Sequence, residues 1–339
     1  MYLFKDPMPR SALPASLLLL VIALLLSLAI GSVFIPPSEL WRVVSGMSTS
    51  DTFRTILLDI RLPRTVLIVL VGAALGGSGA AYQGLFRNPL ADPYLIGVAS
   101  GAGLGAILAM SIRWPYTTLG LFAVPLAAFI TSLLTVYIVY TIAHIGGSIP
   151  TTNLILAGVA VSSFAVSLTS FLMLRSTGEV RRAIGWLLGG VSLVSWDATL
   201  ALIPYLAVGL LTLVLGGYAL NLLQFGDDQA TQMGLNVQRA KFVIIVAASL
   251  VTAAAVSFAG IIGFVGLIVP HIVRIWWGVD YRRLIPLSIL GGATVLLIAD
   301  ILARIVLAPQ ELPVGIVTAL AGAPFFLWVL RRSKNQGFW

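Results

Sequence analysis

The chain has 339 residues, 59% of them hydrophobic and 9% charged, with a formal net charge of +8 and a mean hydropathy of +1.04. A soluble fold could not cover so much apolar surface, so lipid is the solvent for most of it, and the chain reads as an all-α, polytopic integral membrane protein built as a single transmembrane domain over residues 1–339. With no cysteine and only two histidines, His144 and His271, disulfides, thiolate metal sites and iron–sulfur clusters are excluded, and no cofactor is expected in this chain.

Lys5 and Arg10 precede an uncharged run, Ser11 to Ser38, that lacks a convincing small-residue cleavage site and reads as a retained first span. Thr65–Phe86 and Pro93–Ile112 each fit one further span, and Trp114–Leu174 holds two, broken near His144–Pro150. Arg175, Glu179, Arg181, Arg182 and Asp197 then separate these from a sixth span, Ala198–Leu222. Phe242–Val273 is too long for one crossing and carries Gly260, Gly263, Gly266 and Pro270, which divide it in two. Leu284–Ile305 and Pro313–Leu330 bring the expectation to about ten spans, with both termini on one side.

Placing both termini in the cytoplasm puts Lys5, Arg10, Arg87, Arg239, Lys241, Arg274, Arg282, Arg283, Arg331, Arg332 and Lys334 inside, 11 of the 20 basic residues. The outer arginines could simply snorkel at span ends. Arg61, Arg64 and Arg304 differ because they would stand on one outer surface, where an acidic protein partner could dock. Asp300 and Arg304, four residues apart, can pair with each other. Spans two and seven lie an odd number of helices apart and carry similar glycine and proline breaks, so spans 2–5 and 7–10 read as an inverted repeat.

The energy source follows from what is missing. A phosphate-binding loop needs a lysine after glycine, and Lys5, Lys241 and Lys334 follow other residues. The chain is therefore not an ATPase, and no His/Asp/Glu cluster or serine–histidine arrangement suggests another enzyme. Nothing in it calls for a nucleic acid. The largest predicted cytoplasmic insertion, Asn221–Val237, is broken by Gly226, can start a helix at Asp227 and can stop it at Gly234. Asp227 and Asp228 have no lysine or arginine beside them before Arg239, which favours a protein partner over an anionic lipid surface for this pair of short helices.

Several motifs together resemble one family. Arg61-Leu-Pro-Arg64, Asn88-Pro-Leu-Ala-Asp-Pro93, the glycines Gly97, Gly101 and Gly105, and Gly263-Phe-Val-Gly-Leu-Ile-Val-Pro-His-Ile-Val-Arg274 are similar to the signature of FecCD-type ABC importer permeases. Ala299-Asp-Ile-Leu-Ala-Arg304, Glu311-Leu-Pro-Val-Gly315 and Gly322-Ala-Pro-Phe-Phe326 extend that resemblance over nearly the whole chain. It implies a type II importer permease fold in a bacterial or archaeal cytoplasmic (inner) membrane. It also implies a second copy of the permease beside a shared path, two ATPase subunits using ATP and magnesium inside, and a substrate-binding protein outside. The cargo would be a metal chelate, with a ferric siderophore the first expectation and haem or cobalamin next. By matching position, Arg61, Arg64 and Arg304 would meet acidic residues of the binding protein, and Leu222, Leu223, Gly226, Asp227, Asp228, Met233 and Gly234 would form the contact with the ATPase. An ion-driven secondary transporter and a non-transporting membrane scaffold are the alternatives.

In the fifth span Ser163, Ser167 and Ser170 recur on one helical face, with Asn153 near its inner end. They either line a weakly polar translocation path or bond their own backbone and pack against neighbours. His271 beside Pro270 reads as a packing residue rather than a haem ligand.

Overall fold

The computed structural model describes residues 11–47, 50–112, 114, 117–145, 149–175, 180–191 and 195–333. Lys5, Arg10, Lys334, Glu179 and the middle of the predicted break at 146–148 lie outside them. Fifteen α-helices follow one another in the described residues: α1 Ala12–Ala29, α2 Pro37–Val44, α3 Asp51–Thr55, α4 Leu62–Leu85, α5 Val98–Met110, α6 Thr118–Ala143, α7 Thr151–Arg175 and α8 Val180–Leu187, then α9 Trp196–Leu215, α10 Gly217–Leu223, α11 Asp227–Gln232, α12 Val237–Ala259, α13 Val265–Trp277, α14 Tyr281–Ile305 and α15 Val314–Ser333. Local chemistry explains many of the starts. Ser50, Thr117, Ser195, Asn236 and Asp280 each accept a backbone amide of the helix they precede, and Pro37 opens α2.

Six of these helices (α1, α6, α7, α9, α12 and α14) are long and apolar enough to cross a bilayer, and α5, α13 and α15 are shorter apolar ones. With α4, 24 residues long, they occupy all ten predicted spans. The first helix stops at Ala29, nine residues before the uncharged run ends, because the chain turns at 30–36 into the Pro36–Pro37 start of α2. The sixth stops at Leu215 and hands on to α10 through Gly216.

Helix directions define two ends. Trp196 Nε1 donates to the Leu58 carbonyl and Thr199 Oγ1 to that of Pro63, so α4 and α9 both start at one end, beside Arg61 and Arg64. Gln224 Nε2 donates to the Gly84 carbonyl at 2.9 Å, so both finish at the other, beside α10 and α11. These are the arginine end and the elbow end. α12 and α14 run between them, largely buried, whereas α1 and α7 leave most of their surface exposed.

The two shortest crossings occupy matching places in the two halves. α5 and α13, the third and eighth spans, each have 13 residues and each follow a break carrying left-handed backbone, at Gly97 (φ 86°) before α5 and at Gly260 (φ 73°) and Phe264 (φ 70°) before α13. α5 leads to the arginine end and α13 to the elbow end, the opposed sense of an inverted repeat. The breaks meet. Tyr94 Oη donates to the Ile262 carbonyl at 2.8 Å and accepts from the Ile262 amide at 3.2 Å, while Asp92 Oδ1 accepts the Tyr94 amide at 2.8 Å.

Small residues set the helix spacing. Gly101 and Gly105 of α5 lie against Thr131 and neighbouring backbone of α6, and Thr131 Oγ1 donates to the Gly101 carbonyl at 2.8 Å. Gly72 and Gly76 of α4 sit against the α14 backbone at Ser288 and Gly292, and Gly79 against Gly266 of α13. A side chain at Gly76 meets the Ser288 carbonyl, which belongs to a helix and cannot step aside. Gly76→Leu should therefore reach or exceed the upper part of the ~1–3 kcal/mol range for overpacking. Gly263→Ala, with open space around it, should shift the thermal midpoint of the detergent-purified protein far less. Equal midpoints for the two variants would contradict this account of the α4–α14 contact.

Candidate functional site

At the arginine end the structure brings Arg61, Arg64 and Arg304 together but turns two of them inward. Arg61 closes a π-helical turn, Ile56–Arg61, that leads into α4. It is 6% exposed and donates to the carbonyls of Leu28 (2.7 Å), Ala29 (3.0 Å) and Val33. Arg304, 4% exposed, pairs with Asp300 at 3.0 Å and donates to Ser27 Oγ at 3.0 Å and to the Ser27 carbonyl. Both guanidinium groups lie against Gly31, where a Cβ would stand 2.7 Å from Arg61 and 3.3 Å from Arg304. Arg61 and Arg304, expected with Arg64 on one outer surface, are thus buried at that end. The last carbonyls of a helix have no partners within it and carry partial negative charge, and the end of α1 draws two of the arginines down onto itself.

Arg64 keeps the most open position. Its guanidinium pairs with Asp300 at 2.9 Å and with Glu311 at 2.6 Å, the latter side chain being 43% exposed. Asp300, fully buried, thus serves two arginines, one four residues along its own helix as anticipated and one on α4.

At the elbow end, α10 and α11 meet at Gly226 (φ 100°), and the second helix stops before Gly234 (φ 87°). Leu223 and Ala230 are buried and seat the elbow, while Asp228 and Met233 are exposed and Leu222 is half-buried. Asn221 fixes α10 to the start of α14, donating to Asp280 Oδ1 at 2.6 Å and accepting the Tyr281 amide at 2.9 Å. The Arg282 guanidinium, with Asn221 beside it, holds the Asp280 carboxyl down to about 2. Gly226, not Asp227, occupies the cap position of α11, and the Asp227 carboxylate instead meets Lys241 Nζ at 2.5 Å. Asp227 therefore does have a cationic partner, 14 residues on, at the head of α12. A cavity of about 330 Å³ lies behind the elbow, lined by Arg87, Asn221, Gln224, Arg274, Asp280 and Tyr281 among others. Arg274 donates to Gln83 Oε1 at 2.9 Å on its wall.

Ser163, Ser167 and Ser170 share an exposed face of α7, with Asn153 half-buried near the elbow end. Each hydroxyl donates four residues back, to the carbonyls of Val159, Ser163 and Val166 at 2.8–2.9 Å. Phe164 and Phe171 are also exposed on this helix, so what it offers a neighbour is mostly apolar. Among the described residues no three His, Cys, Asp or Glu side chains are grouped as a metal ion would need.

Reading the sequence alone missed Asn221, Lys241 and Asp280. Lys241 left a signal, since a lysine at the head of an apolar span needs a carboxylate, and Asp227 was at hand. The buried pairing at the arginine end also makes a measurable claim. Asp300→Asn strips two arginines of a shared buried partner and should destabilise the fold by about 3–5 kcal/mol. Glu311→Gln removes a partly solvated partner and should cost less than about 1 kcal/mol. Unfolding of both variants in detergent checks the difference, and similar losses would mean that burial of Asp300 contributes nothing special.

The sequence and this architecture agree with known proteins. The profile of the FecCD transport family matches residues 19–332. The chain is 40% identical over 336 residues to the hemin transport system permease protein HmuU of Yersinia pestis, covering 97% of each. It is 46% identical over 281 residues to the cobalamin import system permease protein BtuC of Halobacterium salinarum, covering 83% of this chain and 74% of that one. It is 40% identical over 326 residues to the uncharacterized ABC transporter permease protein YvrB of Bacillus subtilis, covering 94% of this chain and 92% of that one. A solved structure described as an inward-facing conformation of a metal-chelate type ABC transporter superposes with a TM-score of 0.81 at 30% identity, covering 95% of this chain and 98% of that one. An all-helical, multi-pass membrane chain matched over almost its whole length, it belongs to the FecCD transport family.

Proposed function

We propose that this chain is the permease subunit of an ATP-driven importer that passes a metal chelate from an extracytoplasmic binding protein into the cytoplasm. The observation that carries this reading is the family match across residues 19–332, which leaves little of the chain for any other task. Hemin and cobalamin permeases are both among the relatives, so cargo follows as a class: a ferric siderophore, haem or cobalamin. The chain forms one transmembrane domain, pairs with a second copy, and takes ATP hydrolysis from two separate ATPase subunits. Both termini and the elbow end face the cytoplasm, and the arginine end faces outward.

Within this reading α10 and α11 seat on the ATPase. Asp228, Met233 and the turn at Gly226 and Gly234 form the contact face, Leu222 and Leu223 anchor it from beneath, and Asp227 ties it back to α12. The exposed face of α7 lines the path, with Asn153, Ser163, Ser167 and Ser170 along it. Because these hydroxyls are committed to their own backbone, the wall they present is smooth and weakly polar. Docking centres on Arg64, the most accessible of the three arginines, while Arg61 and Arg304 supply positive field from behind it.

The deciding experiment reconstitutes the permease with its ATPase and binding protein and offers cyanocobalamin, haemin and a ferric hydroxamate in turn. Uptake of one of them that needs all three components and ATP is the expected outcome, and uptake by the permease alone on an ion gradient would overturn the proposal. In the same system, binding-protein association should slow as salt rises, and Arg64→Glu should slow it by roughly tenfold or more. A salt-independent rate shared by wild type and variant would leave these arginines with an internal role alone.

A further inference from the structure

We infer that Lys241 is a positioning residue that latches the elbow to the membrane helices, so that displacement of α11 is handed to α7. The inference deepens the proposed coupling role of the elbow and rests on it. Lys241 lies on the second turn of α12 and is 2% exposed. Its ammonium holds two groups from distant parts of the chain: the Asp227 carboxylate in the first turn of α11, at 2.5 Å, and the Ile149 carbonyl, at 3.4 Å. Ile149, itself 2% exposed, stands two residues before α7 begins. One buried charge therefore joins the elbow, the head of α12 and the foot of α7.

The two halves of the elbow are held differently. α10 is bound to α4 through Gln224 and the Gly84 carbonyl, and to α14 through Asn221. Among the described residues, the polar contact that carries α11 to the rest of the bundle is the one through Lys241. The turn at Gly226 (φ 100°) sets α11 apart from α10, and a force applied to α11 is resisted by the apolar seat of Ala230 and by this ion pair. A buried ammonium that loses its carboxylate is strongly disfavoured, so Lys241 follows Asp227 rather than letting it go. The Ile149 carbonyl is then pulled along, and α7, which carries the proposed path face, moves at its foot.

The absence of cysteine allows a clean test. Spin labels at Gln229→Cys on α11 and Thr152→Cys on α7, both exposed positions, read the separation of the two elements in the full-length permease. Lys241→Met and Asp227→Asn should each at least double the width of that distance distribution, and the double variant should be no wider than either. An unchanged width in a folded single variant overturns the latch. Should Lys241→Met fail to fold, Asp227→Asn decides alone. In the reconstituted importer, with whichever of the three chelates above is carried, Lys241→Met should raise the ATP consumed per chelate about fivefold while the ATPase stays bound. An unchanged ratio beside a widened distribution overturns transmission through the latch. A widened distribution in a protein that imports none of the chelates, with or without ATP, counts against the importer reading and leaves the latch in place.

Discussion

A backbone amide or carbonyl that leaves a helix at membrane depth finds no water there and must be satisfied by protein. The two broken crossings of this bundle meet that demand in each other. The hydroxyl of Tyr94, at the break before α5, both donates to and accepts from the backbone of Ile262, at the break before α13. Asp92 covers the amide of Tyr94 in turn. Around that junction the glycines of α4 bring α13 and α14 to backbone contact, and the short helices gain the cover that their length alone would not give. Everything at the two ends hangs on this arrangement, because α5 and α13 start inside the bundle and reach opposite surfaces.

The number of crossings and their breaks were legible because composition, glycine and proline report directly on solvent and backbone. Gly226 and Gly234 likewise marked the elbow, and both take the left-handed backbone that favours glycine. What stayed hidden was the destination of long charged side chains. Arg61 and Arg304 look like surface charge from their flanking residues. Their partners, the carbonyls at the end of α1, lie 32 and 277 residues away and carry no signature in the sequence, because every residue has a carbonyl. Lys241 and Asp227 could have been matched, since opposite charges beside an apolar span seek each other. The serines of α7 were correctly grouped on one face, yet periodicity cannot say that their hydroxyls turn back onto the helix.

The two ends use charge in different ways. At the arginine end Arg64 and Arg304 share Asp300, Glu311 adds to Arg64, and Arg61 is held by carbonyls at and just beyond the end of α1; the cluster is positive, mostly buried, and open to solvent through Arg64 and Glu311. At the elbow end the pairs are one to one, Lys241 with Asp227 and Arg282 with Asp280, and each sits where one element joins another. The shared cluster brings positive charge to the surface through Arg64, whereas each elbow pair sits at a joint between elements.

The hold on α1 has a consequence for how the chain is made. This helix is the first to leave the ribosome among those described, yet its end is fastened by Arg61 and, far later, by Arg304 of α14. Synthesis must therefore reach α14 before the berth of α1 is complete, and until then α1 is held from the α4 side alone, by Arg61 and by the 2.9 Å hydrogen bond between Ser27 Oγ and Thr65 Oγ1. α1 is thus made well before its last partner, and its final packing waits on α14.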